Sequence, residues 1–323
     1  MKNLQFHAQS IGQPLPLGQW PTPVQRLDSL SPNAWIKRDD LTHPQFGGNK
    51  IRKLAYILSW AKRHHIRHIY TLGATGTNHG VATAMLCQRL GIKLSIFLFP
   101  QPPSKIVERN FNLMKKLGAH LHPYGSLAKC AKAFYLHPAR LMPHHLFLPA
   151  GGSNELGTLA FVDAAFELKK QVDQGDLPEP ETVFCPVGSS ATLAGLTLGF
   201  ALQRISTKVV GIRVAPSHLG PIPICTERTV TKLMKRTLKL LGHQKTERLA
   251  TLPKPRLDPS FYGDGYGTPS ARSALSMERF QGQTGLPLDQ TYTGRTAAAF
   301  MEHLESGQHP TLLWYTLPQL EGL

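Results

Sequence analysis

Short apolar runs alternate with longer stretches of helical periodicity along most of the 323 residues. Residues 65–73, 93–100, 119–124, 145–151, 181–188 and 208–216 read as strands, each rich in apolar and β-branched side chains and bounded by turn-forming residues. Between them, 50–64, 78–90, 104–117, 155–171 and 191–204 place apolar residues at helix spacing. This alternation predicts βαβ units, hence an α/β fold with parallel sheets covered by helices on both faces. Near-continuous apolar strands such as the one ending at Val187 are what a doubly covered sheet requires. Residues 171–181 are polar and rich in Pro and Gly, so they read as a linker or surface loop. Residues 252–270 read as a second long loop, of a length that is often functional.

Composition narrows the class. With 41% hydrophobic and 17% charged residues the chain can bury a substantial core, so disorder is excluded as its general state. No window approaches a membrane-spanning run, and the first residues show no secretory pattern. The four cysteines, Cys87, Cys130, Cys185 and Cys225, are too dispersed for a disulfide framework or a metal site, so a reducing cytoplasm is expected. The net charge of +16 attracts polyanions in general and also concentrates phosphate-bearing small molecules. Its densest stretch, Lys232 to Arg248, repeats Leu233, Leu240 and Leu241 at helical spacing and predicts an amphipathic helix with a solvated basic face.

Four Gly-rich segments lie where strands lead into helices, the place where parallel α/β sheets bind ligands. In Phe46-Gly47-Gly48-Asn49-Lys50, Asn49 can cap a helix that Lys50 opens. The positive end of a helix disfavours an ammonium, and an amine that is partly neutral can attack an aldehyde. Taken alone, the segment is better described as a solvated lysine in a loop-to-helix turn. Residues 71–80 bring Thr77, Asn78 and His79 together at a helix start, a set suited to a carboxylate. Pro149 to Gly157 includes Gly152. Pro186 to Gly195 offers glycine, hydroxyls and backbone amides as a phosphate cradle, without the spacing of a dinucleotide or nucleoside-triphosphate loop.

In this order the segments resemble the pyridoxal-phosphate (PLP) dependent family that contains 1-aminocyclopropane-1-carboxylate (ACC) deaminase and D-cysteine desulfhydrase, of the tryptophan-synthase-β fold type. The resemblance runs from Trp35 to about Thr316. It implies a two-domain fold type II enzyme, each domain an open, mostly parallel twisted sheet flanked by helices. Residues 1–48 with 155–323 would form the large cofactor-binding domain and 49–154 the small one, with the active site in the cleft between them.

By resemblance Lys50 is the lysine that holds the cofactor covalently and shuttles protons, and Lys53 lies near the phosphate. Asn78 meets the cofactor's 3′-oxygen, and Gly188, Ser189, Ser190, Ala191 and Thr192 form the phosphate loop. Thr77 stands where the family has a serine that contacts the substrate carboxylate and has been given a catalytic role. Asn78, His79 and Gly152 join Thr77 as expected substrate contacts. Tyr266 and Tyr292 match two active-site tyrosines. Thr293 stands where ACC deaminases carry a glutamate, and Thr316 matches a desulfhydrase-type threonine near the pyridine ring. A threonine offers a neutral hydrogen bond where a glutamate would keep the ring nitrogen protonated, so the weaker electron sink favours loss of a good β-leaving group. The end of the chain departs from the family's His-Thr-Gly-Gly pattern and reads Tyr315-Thr316-Leu317-Pro318.

The expected function is therefore a PLP-dependent lyase or deaminase for a small, D-cysteine-like amino acid, giving pyruvate and ammonia, in a cytoplasmic homodimer. Alternatives on the same fold are ACC deamination, racemisation and β-replacement. Alternatives of other classes are a PLP-binding protein with little catalysis, and a basic nucleic-acid binder. The last lacks the interleaved aromatics of a nucleic-acid surface, so no specific nucleic acid is expected as a partner.

Overall fold

The computed structural model describes residues 12–242, 252–268 and 271–316. Residues 243–248 of the basic stretch, 269–270 of the long loop, and Leu317 and Pro318 lie outside these. The strands are β1 Val24–Arg26, β2 Ala34–Arg38, β3 His68–Ala74, β4 Lys93–Phe99, β5 His120–Pro123, β6 His145–Leu148, β7 Thr182–Val187, β8 Lys208–Arg213, β9 His218–Leu219, β10 Ile222–Pro223, β11 Arg256–Asp258 and β12 Thr311–Tyr315. The helices are α1 Asn49–Arg63, α2 Asn78–Arg89, α3 Lys105–Lys116, α4 Leu127–Tyr135, α5 Glu155–Asp173, α6 Ala191–Gln203, α7 Glu227–Leu240, α8 Ala271–Thr284 and α9 Thr293–Ser306.

Two compact units result: Gly18–Lys53 with Glu155–Leu323, and Leu54–Asn154 with the segment ending at Leu17. The sequence reading steps at 48/49 and 154/155, whereas the contacts step at 17/18, 53/54 and 154/155. Asn49, Lys50 and Lys53 therefore go with the larger unit.

In the larger unit a six-stranded sheet runs β1-β2-β12-β7-β8-β11. Only β1 is antiparallel to its neighbour, so the sheet is parallel-dominated, as expected. Every residue of β7 and β12 is buried, because both sheet faces are covered. Ile36, Phe184, Ile212 and Leu313 pack with Phe280 of α8 and Phe300 of α9 into one core. Strands β1, β2, β11 and β12 fall outside the strand set read from periodicity. β2 is masked by its charges: Lys37 is fully buried and paired with Glu167 at 2.6 Å, and Arg38 pairs with Asp40. The long loop at 252–270 contains β11, which pairs with β8. In the basic stretch α7 forms, but its buried stripe is Val230, Met234 and Leu238, with Leu233 and Leu240 only half-buried.

In the smaller unit a four-stranded parallel sheet runs β5-β4-β3-β6. Tyr70, Leu72 and Phe97 pack with Cys130 and Phe134 of α4 on one face. Thr71 and Ile96, of opposite parity, face α2. Among the described residues no helix is long and apolar enough to cross a membrane, and no cluster of His, Cys, Asp or Glu could hold a metal.

Candidate active site

Lys50 sits in the first turn of α1, and two contacts anchor that turn. The Asn49 N–H donates to the Thr316 carbonyl at 2.9 Å, at the end of β12. Asn49 Oδ1 accepts from Lys50 Nζ at 2.9 Å, and Asn49 Nδ2 lies 3.4 Å from Thr192 Oγ1. The Asn49 amide thus bridges Lys50 and the start of α6, where the sequence suggested a helix cap. Gly47 is obligatory before it, since a Cβ there would lie 1.7 Å from the Asp40 carbonyl. Burial lowers the Lys50 ammonium to about 8, with Asp289 pulling weakly the other way. Desolvation thus lowers the Lys50 pKa, the direction that the helix-start position suggested.

A buried ionic cluster holds α1 from below. Arg52 donates to Asp39 Oδ1 at 2.9 Å and to both Glu167 oxygens at 2.8 and 2.9 Å. Trp314 Nε1 donates to Asp39 Oδ2 at 2.8 Å, and Lys37 reaches Glu167 and the Thr22 carbonyl, each at 2.6 Å. Burial opposes charge on Glu167, yet its bonds to Arg52 and its attraction to Lys37 outweigh this and hold it down near 2. Arg52 and Glu167 went unread in the sequence, because a charge on a helix looks solvated until its partners are placed.

The β7–α6 turn fits a phosphate. Ser190 takes a left-handed conformation at φ 72°, and α6 has no side-chain cap. The N–H groups of Ser189 and Ser190 find no acceptor among the described residues. Orphan amides at an uncapped helix start make a ready anion site. A Cβ at Gly188 would meet the Tyr292 ring at 3.1 Å, a tight contact to which the ring would have to give way. Lys53 is buried, 5.6 Å from the Phe161 ring centre, and burial followed by the Lys50 charge lowers its pKa well below the usual value. The amine, the orphan amides and the cleared backbone together suit an aldehyde-bearing phosphate ester such as PLP.

The two tyrosines come together, their hydroxyls 2.7 Å apart and their rings edge to face. Burial, then Tyr266, pushes Tyr292 well above the ordinary phenol range, so it stays protonated. Arg295 Nη2 donates to the Gly265 and Thr268 carbonyls at 2.8 and 2.7 Å and so holds the loop that carries Tyr266. Thr293 is buried, and its hydroxyl donates to Asp289 Oδ2. Asp289 also accepts the N–H groups of Thr291, Tyr292 and Thr293 and so caps α9. Asp289 and Arg295 were missed, Asp289 because it stands four residues before Thr293, outside the three-residue spacing of a capping box. The Thr316 side chain is buried at the end of β12.

In the smaller unit Thr77 caps α2, its hydroxyl accepting from the Gly80 N–H at 3.2 Å. Asn78 is half-buried, and its Oδ1 accepts from Asn110 at 2.8 Å. His79 turns inward, its Nε2 3.1 Å from Thr71 Oγ1. That hydroxyl gives its proton to the Leu148 carbonyl, so the imidazole donates. His79 thus joins α2 to β3 rather than lining the loop with Asn78. Gly152 is buried in a 3-10 turn with φ 66°. Asn110 carried no sequence signal.

A family model described as pyridoxal-phosphate dependent enzyme matches residues 15–311. A Thermotoga maritima protein named provisionally as a 1-aminocyclopropane-1-carboxylate deaminase is 28% identical, over 92% of this chain and 93% of its own. The D-cysteine desulfhydrase of Serratia proteamaculans is 28% identical, over 87% of this chain and 85% of its own. Among solved structures, an ACC deaminase homologue superposes with a TM-score of 0.82 at 26% identity, covering 98% of this chain and 95% of that one.

Proposed function

Because the chain belongs to the pyridoxal-phosphate dependent enzyme family, we propose that it removes a good β-leaving group from a small amino acid of the D-cysteine kind. D-cysteine and water would give pyruvate, ammonia and hydrogen sulfide. The observation that carries this reading is the commitment of the Thr293 hydroxyl to Asp289. No carboxylate stands at 293, and Thr316 brings only a neutral hydroxyl, so the side chains at 293 and 316 do not favour a protonated ring nitrogen. Bound PLP supplies the electron sink for negative charge at the substrate Cα.

The chain's own groups divide the remaining work. Ser189 and Ser190 amides, with the start of α6, would hold the phosphate, whose negative charge would favour the protonated form of Lys53 that burial and Lys50 otherwise disfavour. Lys50, lowered to about 8, has a neutral fraction near physiological pH that can take a proton from the substrate Cα. Tyr292, kept as a phenol, can give a proton but does not serve as the base. By resemblance, Thr77 would offer its hydroxyl hydrogen to the substrate carboxylate, and Asn78 would donate to the cofactor 3′-oxygen. The desulfhydrase relative supports the choice of substrate. The resemblance also supports a cytoplasmic homodimer, which light scattering checks for oligomeric state.

The test measures keto acid and ammonia from D-cysteine, β-chloro-D-alanine and ACC under matched conditions. Elimination from the first two should exceed turnover of ACC, and faster ACC turnover overturns the electronic argument. Borohydride reduction followed by peptide mapping should place the cofactor on Lys50.

A further inference from the structure

We propose that Asn110 is a positioning residue that dictates which end of the Asn78 amide faces the cofactor. The inference rests on the reading that Asn78 lies beside the 3′-oxygen of PLP. Asn110 lies on α3, and its side chain is fully buried. Its Nδ2 donates to the Gly76 carbonyl at 2.9 Å and to Asn78 Oδ1 at 2.8 Å, while its Oδ1 accepts from Arg109 Nη2 at 3.0 Å.

The two ends of an amide look alike in shape, so their orientation has to come from their partners. A backbone carbonyl can only accept and a guanidinium can only donate. Gly76 and Arg109 therefore fix the Asn110 amide from both sides, with nitrogen towards the loop and oxygen towards Arg109. The second Asn110 hydrogen then requires an acceptor, and only the oxygen of Asn78 can serve. Asn78 Nδ2 is left facing away, and it makes no hydrogen bond among the described residues. Asn78 is thereby set as a donor, matched to the electron-rich 3′-oxygen. Without Asn110 either end of the Asn78 amide could face the cofactor.

Asn110→Asp keeps the shape and removes the donors. An aspartate can only accept, so Asn78 should turn its nitrogen towards residue 110 and present oxygen to oxygen at the cofactor. The apparent PLP dissociation constant should rise about ten- to a hundredfold, the worth of one hydrogen bond to a charged group. The pH titration of the bound cofactor's visible absorbance should move to higher pH, a shift that loosened packing alone does not produce. Asn110→Ala, which removes the donor without adding charge, is the second variant and should move both readouts in the same direction by less. In an Asn78→Ala background the Asn110→Asp change should have no further effect on either readout. Unaltered affinity and titration in folded Asn110→Asp or Asn110→Ala, alongside an altered Asn78→Ala, overturn the inference alone. So does an Asn110→Asp effect that persists in the Asn78→Ala background. Wild-type protein that takes up no PLP, or Asn78→Ala with unaltered titration, overturns the underlying reading and the inference with it.

Discussion

Thr293 and Asp289 hold each other reciprocally: the Thr293 hydroxyl donates to Asp289 Oδ2 at 2.7 Å, and the Asp289 N–H donates back to Thr293 Oγ1 at 2.8 Å. The pair starts the helix that Tyr292 immediately precedes. Thr293→Val should destabilise the protein by about 1–3 kcal/mol, because the Asp289 N–H is left without its acceptor. Thr293→Glu should be worse, since it sets a second carboxylate against Asp289. Adding Asp289→Asn to Thr293→Glu should recover part of the thermal midpoint, and a double variant less stable than Thr293→Glu argues against like-charge repulsion.

Lys50 gives a pH signature in the cofactor-free protein. Its folded pKa, lowered to about 8 from 10.5, means that the unfolded chain binds one more proton than the folded one between those values. Stability contributed by this group therefore rises as pH increases from about 8 to 10.5. Urea midpoints of Lys50→Met should rise less over that window than those of the unaltered protein, and parallel curves count against the lowered pKa.

Arg52 is the centre of the buried ionic cluster, so its removal strands Asp39 away from water. Arg52→Leu should cost about 3–5 kcal/mol in chemical denaturation. A cost below about 1 kcal/mol would place the cluster with weak surface ion pairs.

Gly188→Val brings a side chain into the space between the phosphate loop and the Tyr292 ring, where a Cβ alone comes within 3.1 Å. The variant should fold and lose PLP on gel filtration. Full cofactor retention would separate Gly188 from phosphate binding.

His68 stacks on Tyr70 at 4.1 Å and meets His145 edge-on. Burial, then repulsion from His145 and His120, pushes its imidazole from 6.5 down to about 4. The unfolded chain takes up the proton first as pH falls, so this group's contribution is lost between about 6.5 and 4. In His68→Phe the acid-side loss of thermal stability should be shallower, and an unchanged slope assigns the loss to other groups.

The sequence by itself determined the α/β class and located the Gly-rich turns ahead of helices, with Lys50 standing in the first of them. These are local properties: periodicity records which face is buried, and Gly47 marks backbone that a side chain would obstruct. Strands β2 and β12 were hidden for a different reason. Their pairing joins residues from opposite ends of the chain, and Lys37 reads as solvent-facing until Glu167 is placed beside it. Tertiary structure alone decided the direction of His79, which shares a loop with Thr77 and Asn78 but bonds inward to Thr71. It also decided the Asp289–Thr293 pair and the orientation of Asn78. A side chain's hydrogen-bond partners follow from folding, and residue 110 meets residue 78 only once α3 has packed beside the β3–α2 turn.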